Sequence, residues 1–276
     1  MDLLNNGLVS VQWLADNKSN ADVKILDGTW CMASEAMPLE GQFIPDAQFF
    51  DIDEIADLTS PMKHMLPSID VFAETMSNMG IENKDYIIVY DRHGFRAAAR
   101  LWWTFRSFQH QAVSILNGGL PAWIKAGQKI SSSPLKTTTK THYKAPSSIS
   151  NVISMEELVT LLPHKPQIID ARSKGRFNGT EAEPRPGLRS GHIPGSLSLP
   201  FGNIRTAGGE LKDILSLASI VGKAGVDLDK PIITTCGSGI TAAALAFVFY
   251  RLGAKEVSVY DGSWTEWGAS DAPIEI

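Results

Sequence analysis

Short apolar runs rich in β-branched residues punctuate the chain, and they come in matched pairs. VKILDGTW near the start is answered by PQIIDARS in the second half, each predicting a short buried strand that ends in an aspartate, Asp27 or Asp170. QFIPDAQFF is answered by GHIPGSLSL. The longest pair sets YIIVYDRHGFRAAARLWWTFRSFQHQAVSILNGGLPAW against PIITTCGSGITAAALAFVFYRLGAKEVSVYDGSWTEW. Both copies read as strand, glycine-containing loop, alanine-rich helix, second strand, Asn/Asp-Gly turn and a closing tryptophan, Trp123 or Trp267. Strand, helix and strand in that order imply parallel pairing with helices on both faces, so the fold class is α/β, repeated twice.

Between the copies runs GQKISSSPLKTTTKTHYKAPSSIS, rich in Ser, Thr, Lys and Pro and free of acidic residues. It predicts a solvated, extended linker over 127–148, separating a first domain (1–126) from a second (149–276). Ser154-Met-Glu-Glu157 supplies a capping box for the first helix of the second domain.

Composition narrows the class. With 276 residues, 43% of them hydrophobic, the chain can bury the core of one large or two ordinary domains. A net charge of -5 gives no basic field to gather phosphate backbones or anionic lipid, which argues against nucleic-acid or membrane partners. The opening MDLLNNGLVS has neither the basic nor the apolar region of a signal peptide, and no later apolar run approaches the ~18 residues of a membrane span. Two cysteines, Cys31 and Cys236, are too few for a disulfide framework and suit a reducing compartment. The expected setting is therefore cytoplasmic.

The two thiols read differently. Cys31 has no chemical context and is expected to be a small buried hydrophobe. Cys236 follows directly on the predicted strand PIITT, where open α/β sheets place their ligands, and precedes a helix expected to begin near Thr241 or Ala242. Unpaired amides and the positive end of that helix favour an anion and activate a thiol. Gly237 and Gly239 permit the positive φ values that turn successive N–H groups inward as a nest around sulfur. Neither a metal nor a cofactor is called for.

The loop CGSGIT opening an alanine-rich helix, its degenerate twin DRHGFR and the segment GHIPG together resemble the two-domain rhodanese superfamily, specifically the 3-mercaptopyruvate sulfurtransferases. The resemblance spans nearly the whole chain. It implies two tandem rhodanese-like domains, each a small mostly parallel sheet flanked by helices, with only the second catalytic. Asp91 stands where Cys236 stands in the second copy, and a carboxylate cannot carry sulfane sulfur, so the first domain is expected to be silent. The resemblance further implies that Arg176 and Arg185 orient the donor, a role suited to the planar guanidinium fork. Gly237, Gly239, Ile240 and Thr241 would form the rest of the substrate loop. It places His64 and Asp53, from the first domain, beside Ser238 as a proton relay that includes all three. Arg172, Arg189 and Arg205 are instead expected only to pair with surface Glu181 or Glu183, which would contribute little.

The activity so implied takes sulfur from 3-mercaptopyruvate onto Cys236 as a persulfide, releases pyruvate and passes the sulfur to a thiol such as a small dithiol or thioredoxin, or to cyanide. A monomer is expected, because the two halves already mimic a dimer. Three alternatives bear on the same residues. A thiosulfate sulfurtransferase is the near rival, although its loop carries basic residues where this chain has Gly237 and Ser238. A rhodanese-like cysteine phosphatase needs an arginine at the loop's end, and none follows Cys236 before Arg251. A non-catalytic binding module is opposed by Cys236 itself.

Overall fold

A computed structural model describes residues 6–276; the first five residues of the opening segment lie outside it. The chain divides into two compact units, each an α/β layer structure.

The first unit comprises residues up to 58 together with 66–150 and 207–211. Its strands are β1 (Leu8–Val9), β2 (Val23–Asp27), β3 (Ala47–Phe49), β4 (Tyr86–Tyr90) and β5 (Val113–Leu116). They form one sheet in the order β1-β5-β4-β2-β3, every neighbour parallel. The helices are α1 (Val11–Asn17), α2 (Ile69–Asn78), α3 (Ala98–Ser107) and α4 (Gly119–Lys125). The central strand β4 is buried on both faces, as a near-continuous apolar run requires in a parallel sheet covered by helices.

The second unit comprises residues 59–65, 151–206 and 212–276. Its strands β6 (Val152–Ile153), β7 (Gln167–Asp170), β8 (Leu197–Ser198), β9 (Ile232–Thr235) and β10 (Val257–Tyr260) repeat the first topology in the order β6-β10-β9-β7-β8, again all parallel. Helices α5 (Met155–Leu161), α6 (Lys174–Phe177), α7 (Ile214–Lys223), α8 (Ile240–Arg251) and α9 (Ser263–Trp267) complete it. The expected capping box is formed at α5, where Ser154 accepts from the Glu157 amide and Glu157 accepts from the Ser154 amide at 2.8 Å. Helix α8 starts at Ile240, one or two residues before the predicted Thr241 or Ala242.

The repeat is visible in polar detail as well as topology. Asp27 and Asp170, at equivalent strand ends, are both buried against an arginine: Arg92 Nε donates to Asp27 at 2.9 Å, and Arg172 forks onto Asp170. Burial pushes the Asp27 carboxyl above its usual range even though Thr29 and Arg92 hold it down. The closing tryptophans match too. Each is fully buried, and each indole N–H donates to a carbonyl six residues on, Trp123 to Lys129 at 2.7 Å and Trp267 to Pro273 at 2.9 Å.

The stretch 127–148 is extended and mostly exposed, and it is tied along the first unit at several points. Ser131 bridges Phe43, the Leu135 amide donates to Ala47, and the Thr141 hydroxyl donates to Ile81. Tyr143 is buried edge-on against Phe72 and bonds His110 Nδ1 at 2.9 Å. Tyr143 is the one buried side chain of this stretch and ties it to the first unit's core, a contact its composition does not announce. Among the described residues, no helix is long and apolar enough to cross a membrane.

Candidate active site

Strand β9 is buried along its whole length and delivers Cys236 at its carboxyl end. Gly239 then turns the chain with φ of +80°, a left-handed conformation open to a residue without Cβ, and α8 begins at the next residue with no side-chain cap. Its first-turn amides therefore have no partner from a capping side chain. The loop is held from the opposite side by α9. Ser263 Oγ accepts from the Cys236 amide at 3.2 Å, the Trp264 amide donates to the Cys236 carbonyl, and Thr265 donates twice to the Gly237 carbonyl, from its amide at 2.9 Å and its hydroxyl at 2.6 Å.

The twin loop in the first unit shows what this backbone shape is built to hold. Asp91 occupies the position of Cys236, and its carboxylate accepts from the amides of His93 at 2.9 Å, Arg96 at 2.6 Å, Ala97 at 2.7 Å and Ala98 at 2.8 Å. A negative side chain fills the nest with its own oxygens. The corresponding amides after Cys236 belong to Ser238, Thr241, Ala242 and Ala243, of which Ala243 turns back to the Gly239 carbonyl at 3.3 Å. Cys236 is only 2% exposed, so its sulfur sits deep in this loop, screened from water.

Arg176 and Arg185 come to the same point. A Cβ placed on Gly237 would lie 3.1 Å from Arg176 Nη2 and 3.7 Å from Arg185 Nη1, so both guanidiniums meet the residue next to Cys236. Arg176 rides on α6, whose first turn is capped by Ser173 Oγ, and Arg185 follows on the loop beyond it. Gly237 has no side chain to keep the cations away from the sulfur.

Glu183 holds the arrangement and is not the surface acid expected. Its side chain is 3% exposed, and it accepts from Arg176 Nε at 3.2 Å to each oxygen, from Arg176 Nη2, and from Arg172 Nη1 at 2.7 Å. Arg172 pairs with Glu183, but the pair is buried and not at the surface, and Arg172 also bonds Asp170 and the Gly191 carbonyl and stacks 4.0 Å from the Trp264 ring. Burial alone would depress its pKa; Asp170 and Glu183 hold it above the ordinary arginine value. Arg189 bonds the carbonyls of Trp267, Gly268 and Ala272, and Arg205 lies 5.1 Å from the Phe201 ring, so neither uses Glu181 or Glu183. Glu181 instead accepts from the Ser173 hydroxyl.

The relay residues are placed unequally. Ser238 is 7% exposed in the loop itself. His64, 3% exposed with left-handed φ of 69°, belongs to the same unit as Cys236 although its sequence lies in the first half. Asp53 belongs to the first unit, where it is exposed and accepts from the Trp30 indole at 3.2 Å. Cys31 also departs from expectation. It is only partly buried, 3.5 Å from His93 Nε2, because it lies on a loop beside the degenerate nest and not in the core.

Two contributors escaped sequence reasoning, Glu183 as a buried clamp and Ser263 as the acceptor beneath Cys236. The internal repeat held a signal for Ser263, since NGG of the first copy becomes DGS in the second, with a hydroxyl appearing where the first copy has none.

Comparison with known proteins agrees with this arrangement. The chain is 40% identical over 294 residues to thiosulfate/3-mercaptopyruvate sulfurtransferase 1, mitochondrial, of Arabidopsis thaliana, covering 97% of this chain and 78% of the relative. It is 39% identical over 276 residues to thiosulfate sulfurtransferase of Rattus norvegicus, covering 96% and 93%. Among solved structures, the 3-mercaptopyruvate sulfotransferase SseA from Escherichia coli superposes with a TM-score of 0.82 at 34% identity, over 94% of this chain and 99% of that one. The rhodanese-like domain model matches twice, over residues 10–126 and 154–270. A doubled α/β unit, a thiol at a strand end above a helix start, and these matches give one result: the chain belongs to the rhodanese-like domain family, of which it carries two copies.

Proposed function

We propose that the chain is a sulfurtransferase that takes sulfur from 3-mercaptopyruvate onto Cys236 and delivers it to an acceptor thiol. The observation that carries this reading is the convergence of Arg176 and Arg185 on Gly237, one residue from the sulfur. Mercaptopyruvate offers a carboxylate and a ketone beside the scissile C–S bond, and two guanidiniums match those oxygens.

In the first half-reaction the Cys236 thiolate attacks the donor sulfur. An S–S bond forms, the C–S bond breaks, and its electron pair leaves on carbon as the enolate of pyruvate. Arg176 and Arg185 bear the oxygen charge, and Ser238 with His64 relays a proton to carbon, so pyruvate departs and a Cys236 persulfide remains. In the second, an acceptor thiolate such as a small dithiol or thioredoxin takes the outer sulfur and frees Cys236.

Thiosulfate is the second donor to consider, since both relatives above carry it in their names. The same nest would accept its outer sulfur, but Gly237 and Ser238 place no cationic side chain on the loop for the sulfonate. Mercaptopyruvate is therefore the better donor on this reading.

The test is intact-mass spectrometry after each donor is added separately, with pyruvate assayed alongside. One sulfur atom added to the wild type and none to Cys236→Ser, with one pyruvate released per turnover from mercaptopyruvate, is the expected result. Sulfur gained by Cys236→Ser would overturn the assignment.

A further inference from the structure

The first unit holds a cluster of sulfur and nitrogen side chains of its own. Beside the nest filled by Asp91, Cys31 Sγ lies 3.5 Å from His93 Nε2 and 4.0 Å from Met37 Sδ. These separations match the edges of a small coordination polyhedron. With metal–sulfur bonds near 2.3 Å and metal–nitrogen bonds near 2.0 Å, trigonal to tetrahedral angles put ligand atoms roughly 3.5–4.0 Å apart. Counting only His, Cys, Asp and Glu, the described residues contain no group of three. The third ligand here is a methionine.

We propose that Cys31, Met37 and His93 form a binding site for a soft monovalent d10 ion, with copper(I) as the biological case. Ligand chemistry selects the ion. Thiolate and thioether are soft donors that favour copper(I), and the imidazole is compatible with it, whereas a thioether is a poor ligand for zinc(II), magnesium or calcium. Charge points the same way. The set carries one anionic ligand, so a monovalent ion leaves the site neutral and a divalent ion leaves it positive, near the guanidiniums of Arg92 and Arg96. Those two are already paired, Arg92 with Asp27 and Arg96 with Glu35, each at 2.9 Å.

The ligands are also held in place. His93 is fixed through its amide, which donates to Asp91 at 2.9 Å. Binding is balanced as one proton released from the Cys31 thiol for each ion bound.

The experiment uses the full chain carrying Cys236→Ser, so that the catalytic thiol cannot compete for metal. Anaerobic titration with copper(I) held by a chromophoric chelator should show one ion withdrawn per chain. Met37→Leu, a volume-conserving change, should weaken affinity at least about tenfold, since even outer-shell replacements cost about 10–100-fold. Cys31→Ser should abolish competition with the chelator. No ion withdrawn by the Cys236→Ser chain, unchanged affinity in Met37→Leu, or displacement of copper(I) by equimolar zinc(II) would each overturn the proposal.

Discussion

Glu183 grips Arg176 along the Nε side of its guanidinium, both carboxylate oxygens lying 3.2 Å from Nε. An arginine free to swing offers its charge anywhere; one clamped along an edge offers its remaining donors in one direction. Arg172 fixes Glu183 in turn from below, so the orientation of Arg176 beside Gly237 traces back to Asp170 at the end of β7.

Replacing Glu183 with Gln should therefore act through Arg176. A charge-assisted contact of this kind is worth roughly 1.5–3 kcal/mol, so kcat/KM for mercaptopyruvate is expected to fall about 10–100-fold. Thiosulfate turnover, which makes less use of the arginine pair, should fall less. Steady-state kinetics with both donors checks it, and equal losses would assign Glu183 to folding alone.

Gly237→Ala probes the same contact sterically. Gly237 does not have positive φ, so its backbone accepts alanine, and the new Cβ meets Arg176 Nη2 at 3.1 Å. The guanidinium must give way by a few tenths of an ångström. Mercaptopyruvate kinetics should worsen several-fold while the melting temperature stays put, which separates a displaced arginine from an unfolded loop.

Asp91→Ala empties the first unit's nest. Amides now satisfied by the carboxylate would lose their acceptor, and an unsatisfied buried group costs about 1–3 kcal/mol. Denaturant unfolding should show a loss of at least ~2 kcal/mol, with Asp91→Asn intermediate because one side-chain oxygen remains. A neutral outcome would mean the amides find other partners.

The Cys31 thiol should react only at high pH. Burial raises the Cys31 pKa above its ordinary 9.0 and the Glu35 carboxylate raises it further. Both effects disfavour the thiolate, so alkylation of Cys31 in a Cys236→Ser chain should be slow at neutral pH and climb only above pH 9. Glu35→Gln removes the second cause and should move the profile to lower pH. An unchanged profile would show that burial acts alone.

Ser263→Ala removes the acceptor beneath the Cys236 amide, which has no obvious replacement in a buried loop. A stability loss of about 1–3 kcal/mol is expected, accompanied by slower persulfide formation as the loop relaxes. Persulfide formation at the wild-type rate would assign Ser263 to stability only.

Much of this protein was legible in its sequence because the information is short-range. The paired strand-loop-helix runs, the Ser154 capping box, the turn at Gly239 and the placement of Cys236 at a strand end all follow from neighbours within a few residues, whose hydrogen bonds and φ preferences form locally. The repeat then supplied the doubled architecture and the placement of Asp91 at the position of Cys236 in the other copy. Tertiary structure alone decided which charges are buried and where they point. Glu183 reads as a surface acid until Asp170, Arg172 and Arg176 close around it, Tyr143 reads as linker until Phe72 covers it, and His64 reads as part of the first half until its segment packs with the second unit. The burial of a polar side chain depends on partners distant in sequence, and no local pattern of hydrophobic and polar residues records them.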